Sequence, residues 1–331
     1  MKKFLTAAML SLVFVLSVSA FAACGGNTTT TDSYSLYAPD GAPVLALADM
    51  WGEDFTYDNG STADMTYTVT GEANVNALML SGDADFIVAP INVGAQIHAG
   101  YKAGNAQYDY KLVNVTSWGV VYFTTNSDAY KAREEFEDTT DGAKEFLMQF
   151  DGTAISTIGL AAIPGKSVEY LFGEAGADVQ LNGADATVIQ QSYVKGDPMT
   201  AIFAQPAITG VQSQGSNVTV LASVSEVYKE LTGKDFPMAG LFVRADILEK
   251  APDLVDVIDE RVSVSVEKFN TEIDTVADKA AGIEGFSLKA PVIKKAYDKL
   301  NVAYKDADAS MSDVKTLLDN IGAACDDELF V

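Results

Sequence analysis

From residue 34 to about residue 243 the chain alternates between two patterns, and that alternation constrains its fold more than any other feature. Runs rich in β-branched and aromatic residues predict strands over 34–37, 65–69, 86–89, 112–115 and 120–124. A second block predicts strands over 154–157, 179–181, 199–203, 218–222 and 238–243. Between them apolar residues recur at helical spacing, over 44–51, at Val75, Leu78 and Met79, and over 92–101, 167–172 and 187–194. Each such helix has one apolar stripe to bury, and a sheet is what buries it. Two blocks therefore predict two α/β lobes, each a mostly parallel sheet flanked by helices. A length of 331 residues suits two units of roughly 150 residues. From Pro252 the pattern turns helical. Leu254, Val255, Ile258, Val262, Val266 and Phe269 form one stripe, Asp253, Asp256, Asp259 and Glu260 lie on the polar face, and further helices fit 290–304 and 312–321. The charged stretch 127–142 reads as an exposed connection or surface helix. Ligands of open α/β sheets sit beyond the carboxyl ends of the strands, which singles out the loops 37–43, 89–93, 115–119, 157–165 and 203–207.

The N-terminus is a separate unit. Lys2 and Lys3 precede an apolar stretch over 4–21 that ends in Phe21-Ala22-Ala23-Cys24-Gly25-Gly26. Small residues before a cysteine resemble the lipobox of bacterial lipoproteins. That resemblance implies a signal peptide over 1–23, acylation of Cys24, and anchoring at the outer face of the bacterial cytoplasmic membrane. Residues 24–33, with Asn27 to Asp32 polar and low in complexity, then form a flexible tether. The chain carries 22 Lys+Arg against 46 Asp+Glu, a formal charge of −24, so it lacks the basic face that a phosphate backbone needs, and nucleic acid is not an expected partner. Two Cys and one His exclude a disulfide scaffold, a zinc cluster and most histidine-based catalysis. No metal site and no cofactor is expected. His98 reads as a packed or solvated helix residue, and Cys325 as a small buried hydrophobe. No Walker loop, dinucleotide fingerprint, nucleophile elbow or HExxH occurs.

Four segments carry a family resemblance: Leu36-Tyr37-Ala38-Pro39-Asp40-Gly41-Ala42-Pro43, the stretch ANVNALMLSGDADFIVAPINVG over 73–94, NVTSWGVVYFT over 114–124, and GDPMTAIFAQPAIT over 196–209. In this order they resemble the solute-binding proteins of ABC importers, in the group that handles nitrate, sulfonates, taurine and thiamine-pyrimidine precursors. The resemblance spans most of 34–271. It implies a two-lobed periplasmic-binding-protein type II fold with a C-terminal helical segment. Lobe one would comprise 34–125 plus 236–331 and lobe two 126–235, with the chain crossing near 124–128 and near 236–238. It also implies hinge closure on a small-molecule solute, docking on a membrane permease, a monomer, and no turnover.

The candidate ligand residues each have a plainer reading beside the functional one. Asp40, Gly41 and Ala42 join a strand to a helix; Gly41 admits a ligand to the backbone, and Asp40 either contacts it or caps the helix. Pro90, Ile91 and Asn92 repeat that arrangement, with Asn92 as cap or ligand contact. Ser117, Trp118 and Gly119 lie between two strands; Trp118 either stacks on a flat ligand or closes the core. Gly159 and Leu160 match the loop that presents backbone N–H groups in the family. Gln205 follows a buried strand and either bonds ligand or serves the fold. Lys166 points to solvent. Arg133, Arg244 and Arg261 are the only arginines and none falls in these loops, so a bidentate clamp on an acid is not expected. Asp40 and Trp118 suit a flat, neutral or cationic heteroaromatic such as a thiamine-pyrimidine precursor; a sulfonate or nitrate is the alternative. A metal-dependent enzyme of the thiamine-pyrimidine synthase type and a surface adhesin are the other readings.

Overall fold

The computed structural model describes residues 31–56 and 60–331. The expected signal peptide over 1–23, Cys24 and most of the expected tether over 24–33 lie outside the described residues.

Among the described residues twelve strands form two sheets. The first sheet contains β1 (Thr31–Pro39), β2 (Phe55–Thr56), β3 (Thr62–Thr70), β4 (Phe86–Pro90) and β5 (Tyr110–Ser117). The chain then builds the second sheet from β6 (Val121–Thr125), β7 (Ala154–Thr157), β8 (Gln180–Gly183), β9 (Thr200–Ala204) and β10 (Thr219–Ser223). It returns to the first with β11 (Ala239–Arg244) and β12 (Val302–Asp306). The strand orders are β12-β5-β11-β4-β1-β3-β2 and β10-β6-β9-β7-β8. Each sheet with its helices is one lobe.

Three expectations change. The strand at 121–125 pairs with β9 and β10, not with any strand of the first sheet, so the first crossing falls at 118–120 rather than at 124–128. The sheets are mixed rather than mostly parallel. Strands β1, β3 and β4 run parallel, as do β7, β8 and β9, but β6 and β11 run against their neighbours. The cause is the route of the chain: a strand entered directly from the other lobe starts at the edge that faces that lobe, so it must run away from it. Finally, the helix expected over 290–304 ends early. Helix Ala290–Ala296 and a short 3-10 turn lead into β12, which pairs beside β5 as the sheet edge.

Burial follows the two-residue period of a sheet covered on both faces. Phe86 and Val88 enter one apolar cluster while Ile87 and Ala89 enter the other; Leu241 and Val243 oppose Phe242 in the same way. The stripe from Leu254 to Phe269 is buried as expected, on the 20-residue helix Pro252–Thr271. Gly94 sits where helix Ile91–Lys102 crosses β11, and a Cβ there would lie 2.1 Å from Phe242 Cζ, so only glycine permits this approach. The segment 127–142 is mostly exposed, as its charge suggests, with Arg133 an exception. Arg133 is buried against Glu230 (2.8 Å) and donates to the Glu137 carbonyl, and helix Thr140–Met148 begins there with a Thr139 cap.

His98 is packed, and specifically held. It is 2% exposed, with Nδ1 2.7 Å from Asp109 and Nε2 3.0 Å from Asp326. A hydrogen bond from the Lys102 ammonium helps hold the Asp326 carboxyl down at about 2. These bonds tie the C-terminal segment, where Phe330 bridges to Leu112, onto helix Ile91–Lys102. His98→Ala removes the shared partner of two carboxylates, one of them buried. We expect it to cost about 2 kcal/mol in urea unfolding, less than a fully broken buried pair because Asp109 keeps Lys111. Protease cleavage near residue 326 should rise with it; an unchanged midpoint would show that the network contributes nothing net.

Candidate functional site

The carboxyl ends of the parallel strands share one edge of each sheet with the starts of β6, β11 and β12. In the first sheet Pro90 pairs with Ala239, Ala239 with Ser117 and Ser117 with Val302, so these residues share one edge. Pro39, opposite Thr70, ends β1 at that same edge. In the second sheet the corresponding edge holds Gly183, Thr157, Ala204 and Val121. Ser117 and Val121 are four Cα steps apart, a reach of at most about 14 Å, so the two edges face each other closely at the crossing. Backbone hydrogen bonds fasten the site loops to it. Ile91 N–H donates to Met238 O (3.0 Å), Met238 N–H to Ser117 O (2.8 Å), and Gln205 N–H to Val120 O (2.8 Å).

Asn92 is the most informative residue at this edge. It is not the helix cap: Pro90 occupies that position, and no side chain caps the helix. Its Oδ1 is buried and has no hydrogen-bond partner among the described residues. A buried unpaired amide oxygen costs about 1–3 kcal/mol, so such a group calls for an explanation.

The other sequence candidates fall into three groups. Pro90, Ile91, Ser117 and Gln205 lie at the facing edges with Asn92. Gln205 is 5% exposed, and its Oε1 accepts from Thr209 N–H (3.2 Å) and Thr209 Oγ1 (2.8 Å). The 39–42 loop ends at the same edge. Gly41 has φ 114°, a backbone that favours glycine, with open space where a Cβ would be. Ala42 opens helix Ala42–Leu47, and the exposed Asp40 side chain accepts from Ser287 N–H at 3.0 Å, so it braces a neighbouring loop of its own lobe rather than capping the helix. On the second lobe Gly159 has φ 56°, and its carbonyl accepts from Ala162 and Gly165 N–H, which folds the loop tightly onto helix Ile163–Ala175; Leu160 is 40% exposed beside it.

Trp118 and Gly119 stand apart from the other candidates. The indole turns toward the sheet edge at β12, away from β11 and β4. Its Nε1 donates to Ala303 O at 2.9 Å, and Lys305 Nζ lies 4.3 Å from its ring centroid. Trp118 therefore does not offer a free stacking face to the loops at 40–42 and 90–92. Gly119 serves packing of the crossing. Its φ is 100°, a Cβ would lie 2.7 Å from Ser225 Cβ, and its carbonyl accepts from Asn301 Nδ2. Sequence reasoning missed Met238, which contributes only backbone and so leaves no side-chain signal. It also missed Asn301 and Tyr122. Burial pushes the Tyr122 hydroxyl up to about 12, so it stays protonated and donates to Lys299 O (2.7 Å).

Neutral groups dominate this edge. Arg133 pairs with Glu230, Arg261 with Glu53, and Arg244 with Asp85 and Asp246 at the opposite end of β11. Lys166 is exposed and pairs with Glu169. No cluster among the described residues has the make-up of a metal site, and no helix among them is long and apolar enough to cross a membrane.

Solved structures share this fold. An ABC transporter protein from Parabacteroides distasonis matches with a TM-score of 0.65 at 17% identity, covering 92% of this chain and 99% of that one. The chain has the periplasmic-binding-protein fold. The periplasmic aliphatic sulphonate binding protein SsuA of Escherichia coli matches with a TM-score of 0.61 at 13% identity, over 90% of this chain and 96% of that one. A Candida albicans gene product described as having the generic periplasmic binding protein fold matches at 0.55 and 12% identity, over 90% and 93%. At these identities the likeness is one of fold. No protein-family model and no curated protein matches the sequence.

Proposed function

We propose that this chain is an extracytoplasmic solute-binding lipoprotein, anchored through Cys24, that captures a small nutrient between its lobes and delivers it to an ABC importer without turning it over. The observation that carries this reading is the buried, unpartnered Asn92 Oδ1 at the facing strand ends. In the reading it waits for a donor on the ligand. Gln205, with its Oε1 already engaged, offers its Nε2 from the other lobe. Backbone of 40–42 and 159–160 completes the lining. The ligand class this supports is a small polar molecule with an N–H or O–H donor, recognised by neutral groups; a nitrogen heterocycle of the thiamine-pyrimidine type fits. Trp118 no longer argues for it. A sulfonate, the ligand named for the Escherichia coli neighbour, would here have to be held by backbone N–H groups, since no arginine stands at the edge.

The test is thermal melting of the purified chain against pyrimidines and other heterocycles, sulfonates, nitrate and amino acids. A ligand at 100 times its Kd stabilises by about 2.7 kcal/mol, a readily measured shift. A heterocycle should raise the melting point and be recovered chemically unchanged. Consumption of the ligand would replace binding by catalysis, and a response confined to sulfonates would move recognition to the backbone. In a bacterial host, labelled fatty acid should enter the wild-type chain and not Cys24→Ser.

A further inference from the structure

A cavity of about 610 Å³ lies at the hinge, on the side of the first crossing away from the candidate ligand loops. Strand order fixes the side. In the first sheet β12 flanks β5 opposite β11 and β4; in the second β10 flanks β6 opposite β9 and β7. The cavity is lined from β12, from the end of β10 and the helix Val224–Thr232 that follows it, and from both crossings. None of the loops at 40–42, 90–92, 159–160 or 205 reaches it.

Its chemistry is definite. Trp118, Tyr122, Phe236 and Tyr304 supply aromatic walls, and the volume is that of a small-molecule site. Two ammonium groups are present and both are already neutralised. Lys305 is held by Asp235 (2.6 Å) and Asp313 (3.0 Å), and Lys229 by Asp235 (2.8 Å). Glu226, exposed at the rim in the first turn of its helix, forms no ion pair among the described residues. One carboxylate in excess beside aromatic walls selects a cation with an apolar body. Lys305 over the Trp118 ring shows that these walls accept an ammonium group.

We propose that this cavity is a second binding site, for an organic amine whose cationic nitrogen faces Glu226 and whose flat body lies against the aromatic walls. Its walls belong to both lobes, so occupancy is coupled to their rotation. The crossing at 118–120 is the fulcrum: closing the ligand edge draws the back walls apart, so a molecule wedged behind the hinge favours the closed form. The coupling is reciprocal.

Tryptamine is the probe and indole-3-acetate its control, with the same ring and opposite charge. Calorimetric titration of the purified chain should show tryptamine binding at least tenfold more tightly than indole-3-acetate. Glu226→Gln, at an exposed side chain without a partner, should weaken tryptamine about tenfold and leave the melting point of the free chain unchanged. Ala303→Trp, which fills the cavity from the sheet edge, should abolish binding while circular dichroism remains native. Absent binding, equal affinity for the two indoles, or an unaffected Glu226→Gln overturns the site. Small-angle scattering reads the coupling: saturating tryptamine should lower the radius of gyration, and an unchanged or larger value overturns it. No ligand of the front edge is used, so these outcomes do not depend on the proposed transport role.

Discussion

Gly240→Ala is expected to lower stability by about 3 kcal/mol. A Cβ at this position would lie 2.1 Å from the Asn114 carbonyl oxygen and 2.7 Å from Leu112 Cδ1. The first contact is with backbone of a paired strand, which cannot rotate aside as a side chain can. Relief requires β11 to move off β5, and β11 is also paired with β4 on its other side. Overpacking of this kind costs about 1–3 kcal/mol, and the rigid partner places it at the upper end. The effect extends to the site, because Met238, just before β11, holds both Ile91 and Ser117 through its backbone. Urea unfolding of wild type and variant measures the loss. A change under about 1 kcal/mol would mean that the register shift beside Gly240 absorbs the methyl group.

Asn92→Leu should move stability and affinity in opposite directions. The buried Oδ1 makes no hydrogen bond to any described residue, so replacing the amide by an apolar group of similar size removes a desolvation cost. We expect stability to rise by about 1 kcal/mol. The ligand found in the melting screen should bind about 10- to 100-fold more weakly, since its donor would then be left unpaired. Unchanged affinity would remove Asn92 from the site. Loss of stability together with affinity would make it a packing residue. Trp118→Ala serves as the contrast. Its indole bonds Ala303 and stacks under Lys305, so the cost should appear in folding and in the hinge cavity rather than in direct contact with the front-edge ligand.

The strands were legible where their apolar runs were continuous, as at 86–89, because a strand covered on both faces must be apolar at every position. The helix stripe from Leu254 to Phe269 was legible for the equivalent reason. Strand β12 was not. Val302 is buried while Ala303 is exposed and Tyr304 half-buried, so a short edge strand carries too weak a period to separate it from the helix before it. The burial of Arg133 within the exposed segment 127–142 was not legible for a related reason: charge alone suggests solvent, and only a partner on a distant helix makes burial tolerable.

By itself the sequence determined most of the strands and helices, that they form two α/β blocks, and which loops end the strands. These properties reside in local periodicity and turn chemistry. Only the tertiary structure decided where the chain crosses between lobes and which way side chains at the crossing turn. Val121–Thr125 is an equally good strand for either sheet, and long-range pairing assigns it to the second. Trp118 faces β12 because a carbonyl some 185 residues away takes its N–H. A side chain's direction at an irregular crossing follows from the partner it meets, and that partner is set by strand order rather than by neighbouring residues.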